Sequence, residues 1–485
     1  GDFSLAAGSV LINKGNNKLY NSAPYPVAAM NSNNRVSGGV LHIGPYEYGS
    51  TPGAAFNVLY VDSSVAVSGD GSSWSSAFKY LSDALQLAND NIAVDSVLVA
   101  KGTYYPTGVQ NGTDRNRTFF IRYGGLKLFG GFPSGGGNFS QRVLPEATGG
   151  FSAGSTILSG DINTEGDSTD NSYHVLVVTD IPQFADSIVI DGFSVHNGNA
   201  NAPGGTNYTY NSQSVYQTAG GGAMLWNVSN DGKLQFRNCN FKDNSANGWA
   251  GAIFNQNTKA SFLKVNFFNN ITGNSEGGAI FNTQSGSELK FRQCRFERNA
   301  ARNGTGGALY NHAGAVSIIE HTFFWANTVA RQGGAIYNDQ GTRTEVLNSL
   351  FYQNRSNTQN ASYGGAAVYS NNASFVATNC SFVEQSTGAA MFGFLSGTGG
   401  GSSILQNSIA THNPSGGVAV GGGTVYSQNF SLVQDQNYST DQNLNYSTTT
   451  LSDLYVNIND PDGPDNIWLT ADDGLRPAAN SPVNE

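Results

Sequence analysis

The chain has 485 residues, 61 of them Gly, with only 24 Lys or Arg and 34 Asp or Glu. Charged residues make up 12%, about half the usual share, yet 39% are hydrophobic, which excludes a long disordered chain. A net charge of −10 argues against nucleic-acid binding, which wants a basic stripe, and no apolar run is long enough to span a membrane. Gly1 stands where an initiator Met would, and no signal-peptide pattern is present after it, as expected of a mature or trimmed chain.

In chain order, the first feature is a segment present at both ends. GDFSLAAGSVLIN (1–13) matches the last residues, DDGLRPAANSPVNE (472–485), at an offset of 472, placing Ala6 against Ala478, Ala7 against Ala479 and Ser9 against Ser481. GSTPGAAFN (49–57) reads as a linker after residues 1–48. Trp74, Ala77, Phe78, Leu81, Ala84, Leu85 and Ala88 then recur at helical spacing, which predicts one amphipathic helix over 74–88 with Ser73 as its N-cap. Val97–Ala100 reads as the first strand. Asp161, Asn163, Glu165, Asp167 and Asp170 begin like a calcium loop, but Ser172 stands where the closing Glu belongs. Residues 199–219 carry Tyr208, Tyr210 and Tyr216, and they interrupt a repeat.

The repeat itself is plain from residue 220 onward. GGGAMLWN (220–227), WAGAIFN (249–255), GGAIFN (277–282), GGALYN (306–311), GGAIYN (333–338) and GGAAVYS (364–370) recur; aligning Ala223, Ala252, Ala279, Ala308, Ala335 and Ala366 gives steps of 27 to 31 residues. A second motif, Phe-x-x-Asn, interleaves as Phe241/Asn244, Phe267/Asn270, Phe296/Asn299, Phe324/Asn327 and Phe351/Asn354, and Phe382 continues it with Gln385. Within KLQFRNCNF (233–241) and ELKFRQCRF (288–296) apolar residues alternate, slip by one, and alternate again, which marks two short strands joined at a corner. Such a unit is one rung of a parallel β-helix, an all-β solenoid of roughly a dozen rungs in which equivalent residues form ladders. The Gly-Gly pair suits a tight corner, the Phe residues an inward column, and the Asn residues a left-handed position just past a strand. Cys239, Cys294 and Cys380 share a slot with Val265, Thr322 and Ser349, so they read as one stack of small inward side chains.

Over residues 220–385 the GGAI and Phe-x-x-Asn motifs resemble the repeats of the chlamydial polymorphic outer-membrane proteins. YVDSSVAVSGDGSSWSSAFKYLSDAL (60–85), VLVAKGTYYPT (97–107), LKLFGGF (126–132) and ILSGDIN (157–163) are similar to the opening of large secreted β-helix proteins of Bacteroidetes and related bacteria. The resemblance implies a right-handed parallel β-helix over 58–485, with rungs over 97–430, a C-terminal region over 431–485, and the helix capping the first rung. It implies an extracellular, bacterial-surface location and no described reaction. FSLAAGSVLINKGNN (3–17) and VSGGVLHIGPYEYG (36–49) resemble the segment that terminates such β-helices. Residues 1–48 are therefore expected to complete a preceding domain or a neighbouring copy of the chain, giving a head-to-tail fibre or tandem array.

The chemistry-bearing residues are few. Asp460, Asp462, Asp465, Asp472 and Asp473, among tight turns in NINDPDGPDNIWLTADDG (457–474), suit Ca²⁺ as the one expected cofactor, with metal-free Asx-turns as the alternative. His42, His174, His196, His312, His321 and His412 show no metal or triad spacing, and the outward Glu288, Lys290 and Arg292 are not echoed on the rungs either side. No enzyme is expected. Tyr208, Tyr210 and Tyr216 are the candidate residues for stacking on a glycan. The chain reads as a non-catalytic structural or adhesive β-helix, with a carbohydrate-binding or polysaccharide-degrading β-helix as the alternative.

Overall fold

The structure, a computed structural model, describes residues 57–90, 94–107, 114–122, 124–145, 156–179, 181, 187–210, 213–228, 233–357, 364–387, 395–414, 416–420, 423–435, 443–444, 453–465 and 471–483. The terminator-like residues 1–48 and all but Asn57 of the linker lie outside the described residues. The chain divides into two compact units, one of residues 1–145, 151–265 and 286–289, the other of 146–150, 266–285 and 290–485.

In the first unit Val58–Val61 runs parallel to Ser96–Ala100, which runs parallel to Lys127–Phe132, which pairs in turn with Ile188–Asp191. Each strand is joined to its neighbour by a full turn of chain, and that is what parallel pairing at such separations demands. Among the described residues the solenoid thus begins one strand earlier than Val97. The other edge of that strand pairs with a loop: Tyr60 donates its N–H to Gly71 O, Phe78 to Tyr60 O and Asp62 to Phe78 O, each at 2.9 Å. This pairing splits the helix that the spacing predicts. Phe78 is bridged to Val61 in extended form, so a 3₁₀ turn, Trp74–Ser76, capped by Ser73, is separated from the α-helix Leu81–Asp90. Leu81, Ala84, Leu85 and Ala88 are buried as expected.

In the second unit the repeat is laid out most regularly. Ile280–Thr283 pairs with Leu309–His312, then Ile336–Asn338 and Val368 onward, always parallel. Phe267, Phe296, Phe324, Phe351 and Phe382 form one inward column with ring centroids 4.6–4.8 Å apart, the spacing of neighbouring strands. Asn270, Asn299, Asn327, Asn354 and Gln385 run beside it, fully buried, each bonded to the next. The units are parallel β-helix throughout these rungs.

Two expectations about the motifs need correction. Ala223 pairs with Ile253 rather than Ala252, and Ile336 with Val368, which sets Ala335 level with Ala367 rather than Ala366. The corner shows why. Gly220, Ala250, Gly277, Gly306, Gly333 and Gly365, each three residues before a paired strand position, all have φ between +57° and +72°. The chain keeps this left-handed corner at a constant distance from the strand; Gly222 fills the slot held by Ala on the other rungs, and Ala366 the slot held by Gly. The laddered Asn residues, in turn, are not the left-handed ones. Positive φ falls on the residue before each, at Asp243, Asn269, Arg298, Ala326, Gln353 and Glu384, which turns the following amide inward.

Among the described residues the last strand is Leu432–Val433, and beyond it Leu444 still bridges Leu432 in parallel, but the later segments do not extend the coil. Leu454, Tyr455 and Leu475 pack on Phe323, Tyr352, Val383 and Leu432, the outward side of the sheet whose inward side carries the Phe column. Tyr455 adds a hydroxyl contact to Thr411 at 3.1 Å. The C-terminal segment is a lateral strap.

Candidate functional site

The Tyr-rich interruption is smaller than 199–219. Asn199–Ala200 still pairs with Ser245–Ala246, and the excursion is an antiparallel hairpin, Asn207–Tyr210 against Gln213–Tyr216. Alternation puts Tyr208 and Tyr210 on one face of the hairpin and Tyr216, opposite Asn207, on the other. Tyr210 is only 1% exposed, packs its ring on Phe120 and donates its hydroxyl to Asn116 O at 2.8 Å, so it anchors the hairpin and cannot meet a ligand. Burial pushes its phenol far above the ordinary range. Tyr208 sits edge-on to Tyr210, half-buried. Tyr216 is also half-buried and meets Trp226, Trp249 and Phe254 edge-to-face at 5.2, 5.6 and 5.8 Å. The candidate patch is therefore Tyr216 with Trp249, while Tyr208 lies on the hairpin's other face and Tyr210 is architecture.

The acidic turns are held by their own backbone. Gly463 N donates to Asp460 O and Gly474 N to Pro461 O, and Arg476 Nε donates to Asp473 O at 3.0 Å. Asp473 is buried; Asp460, Asp462 and Asp472 are partly covered, and Asp465 is exposed. In the earlier loop Asp161 Oδ2 accepts from Gly166 N at 2.9 Å, Asp170 Oδ2 from Thr164 N at 3.0 Å, and Asp167 Oδ1 from Thr169 N. These are turn contacts of the Asx kind. Among the described residues no three His, Cys, Asp or Glu side chains come together to hold a metal, so the five Asp residues of 457–474 are not assembled into one carboxylate cage.

In the second unit Cys294 shares its slot with Thr322 and Ser349, as expected, and Thr322 Oγ1 accepts from Cys294 N. Cys239, Cys294 and Cys380 are free and buried, as are Val265, Thr322 and Ser349, and burial pushes the Cys239 and Cys380 thiols up to about 12. Hydroxyls in this slot do rung-linking work: Ser349 Oγ accepts from Thr322 N and Ser408 Oγ from Cys380 N. His174 is fully buried with Nδ1 against Gly220 O, while His321 contacts Asn348 and His412 contacts Thr411. Lys290 and Arg292 point outward and exposed, as the alternation predicts.

One polar constellation was not legible in the motifs. Thr283 Oγ1 meets His312 Nδ1 at 3.0 Å, His312 Nε2 lies 3.7 Å from Asp339 Oδ2, and Tyr310 donates to the same oxygen at 3.2 Å. Hydroxyl, imidazole and carboxylate stand in line, but the second gap is too long for a hydrogen bond and the Thr283 hydroxyl is buried. Its neighbours are the stacked rings of Phe281, Tyr310, Tyr337 and Tyr369, with centroids 4.8–5.3 Å apart. A further ladder joins Asn282, Asn311 and Asn338 through Nδ2–Oδ1 bonds of 3.0 and 3.1 Å. It comes from the last residue of each GGAI-type motif, and that position could have been aligned as easily as the Phe-x-x-Asn one.

No protein-family model matches the chain, and no curated protein sequence does either. Among solved structures it is similar to pectate lyase Pel9A, at 14% identity over 88% of this chain and 90% of that one, with a TM-score of 0.42. It is also similar to pectin methylesterase PemA from Erwinia chrysanthemi, at 11% identity over 81% and 95%, TM-score 0.27. A third is PfbA, a surface adhesin of Streptococcus pneumoniae, at 10% identity over 72% and 89%, TM-score 0.21. The activities in these names, two of enzymes and one of an adhesin, belong to those proteins.

Proposed function

We propose that this chain is a non-catalytic structural or adhesive β-helix of a bacterial cell surface, of the polymorphic outer-membrane protein repeat type, whose copies join head to tail. The observation that carries the reading is the use made of its repeated polar residues. The buried Asn270-to-Gln385 ladder spends its amides on the next rung, so repetition serves the coil itself rather than a reaction centre. The match of residues 1–13 to 472–485 supports joining of copies, and calcium at 457–474 would stiffen the joint. Surface labelling of intact cells tests the location, and electron microscopy of native material with and without chelator tests the assembly. Protein confined to the cytoplasm, or monodisperse single rods, would remove the corresponding part. Fibres indifferent to chelator would remove calcium.

A carbohydrate-binding or carbohydrate-active β-helix is the second reading, favoured by the partly open Tyr216 and Trp249 rings. Loss of polysaccharide binding in Tyr216→Ala, or product release from a polysaccharide panel, would support it.

A further inference from the structure

At the corner between the two strands of each rung stands one residue with positive φ. In the last rungs of the second unit these are Asn348, Asn379, Asn407 and Phe430, with φ of 49°, 54°, 45° and 48°. Asn tolerates this conformation because its short amide bonds locally, but Gln293 and His321 hold it at the same corner on earlier rungs, so the angle belongs to the repeated corner itself. At the last of these corners the side chain is a phenyl ring, and Phe430 stands 59% exposed.

The ring opens onto a groove of about 720 Å³ between the sheet and the C-terminal strap. Asn379, Asn407, Phe430, Ser381 and Leu432 line it from the corner row and its sheet, and Pro482 and Val483 line it from the strap. None of the described residues lining it is charged. Asn379 spends one amide N–H on Asn348 Oδ1 at 3.1 Å, and the exposed Asn407 amide continues the same row. The groove thus offers an aromatic platform, carboxamides and a hydroxyl, and no net charge. These are the features that recognise a pyranose, whose C–H face is apolar and whose edge is ringed with hydroxyls. Successive corners are about 4.8 Å apart, close to the length of one sugar ring, so adjacent Asn residues meet adjacent sugars.

We infer that this groove is a binding site for a neutral oligosaccharide, stacked on Phe430 and hydrogen-bonded by Asn379 and Asn407. The inference deepens the adhesive half of the proposed function and can fail separately from it, because surface display is read on cells and saccharide binding on purified chain. The test is calorimetric titration of the full chain with maltohexaose, cellohexaose, mannohexaose and xylohexaose, and with trigalacturonate as the charged comparison. At least one neutral hexasaccharide is expected to bind saturably at millimolar concentrations. Phe430→Ala is expected to weaken it about tenfold, while Phe430→Tyr stays within about twofold. Asn407→Ala also weakens it, and Tyr216→Ala leaves it unchanged. Thermal melts confirm that each variant is folded. Failure of every neutral saccharide, tighter binding of trigalacturonate, or binding that survives Phe430→Ala would overturn the assignment.

Discussion

The backbone N–H and the side-chain Nδ2 of Asn299 both donate to one atom, Oδ1 of Asn327, at 3.0 and 2.9 Å, across 28 residues of sequence. Asn327 repeats the arrangement on Asn354, and its Nδ2 also reaches Phe296 O at 2.8 Å. One amide therefore satisfies a neighbour's backbone and side chain while its own donors are taken by the next rung and by the Phe column's backbone. Asn327→Ala is expected to destabilise the fold by about 3–5 kcal/mol, since it leaves several buried groups unpaired at once. Urea denaturation of the variant checks this. A loss under about 1 kcal/mol would mean the ladder relaxes around the gap.

Gly307 shows how closely rungs approach. A Cβ there would lie 2.1 Å from Gly334 O and 2.7 Å from Thr328 O, both backbone atoms. Gly307→Ala is expected to cost at or above the upper end of the roughly 1–3 kcal/mol typical of overpacking. Thermal unfolding measures it, and a melting temperature matching the parent would contradict the close approach.

Glu297 receives Arg295 and Arg298, each at 2.8 Å, but only the first pair is buried; Arg298 is 57% exposed. Burial raises the Glu297 carboxyl and lowers the Arg295 guanidinium, and the pairing opposes both shifts. Glu297→Ala is expected to cost about 3 kcal/mol because a buried cation is left uncompensated. Arg298→Ala should cost less than about 1 kcal/mol. Equal losses in the two variants would show that burial is not what separates them.

His174 provides a pH signature. Burial holds its imidazole at about 4, below the ordinary 6.5, with Nδ1 against Gly220 O. Between these values the unfolded chain takes up a proton that the folded chain refuses. Its contribution is therefore fully present above pH 6.5 and is lost as pH falls through about 4, to a total of about 3 kcal/mol. The unfolding free energy of His174→Gln should fall less steeply than the parent's between pH 7 and pH 4.5. Parallel pH profiles would show that the ring is protonated in the fold.

How the chain coils was legible because a solenoid writes its register into local sequence. Every rung must bury the same positions against the same neighbours, so Phe267 to Phe382, the Asn ladder and the Cys239, Cys294 and Cys380 slot are visible as a period before any contact is known. The motif alignment slipped only at Ala223 and Ala366, where a changed letter in a fixed slot hides the unchanged left-handed corner. That corner is a backbone angle, and a letter pattern records it only indirectly.

What tertiary structure decided lies off the period. The helix splits because Phe78 pairs with the strand edge at Tyr60 and Asp62, a partner some sixteen residues away that amphipathic spacing does not register. Tyr210 is buried and Tyr216 half-open because a hairpin folds one against Phe120 and the other toward Trp249, though the three tyrosines read alike in sequence. Phe430 looks like a stray aromatic until it is seen at the corner that Asn379 and Asn407 hold on the two rungs before it, beside a groove that Pro482 and Val483 help to line. Repetition fixes what each rung shares with the next; the surface site comes from segments that repeat nothing, and their positions are set by long-range packing alone.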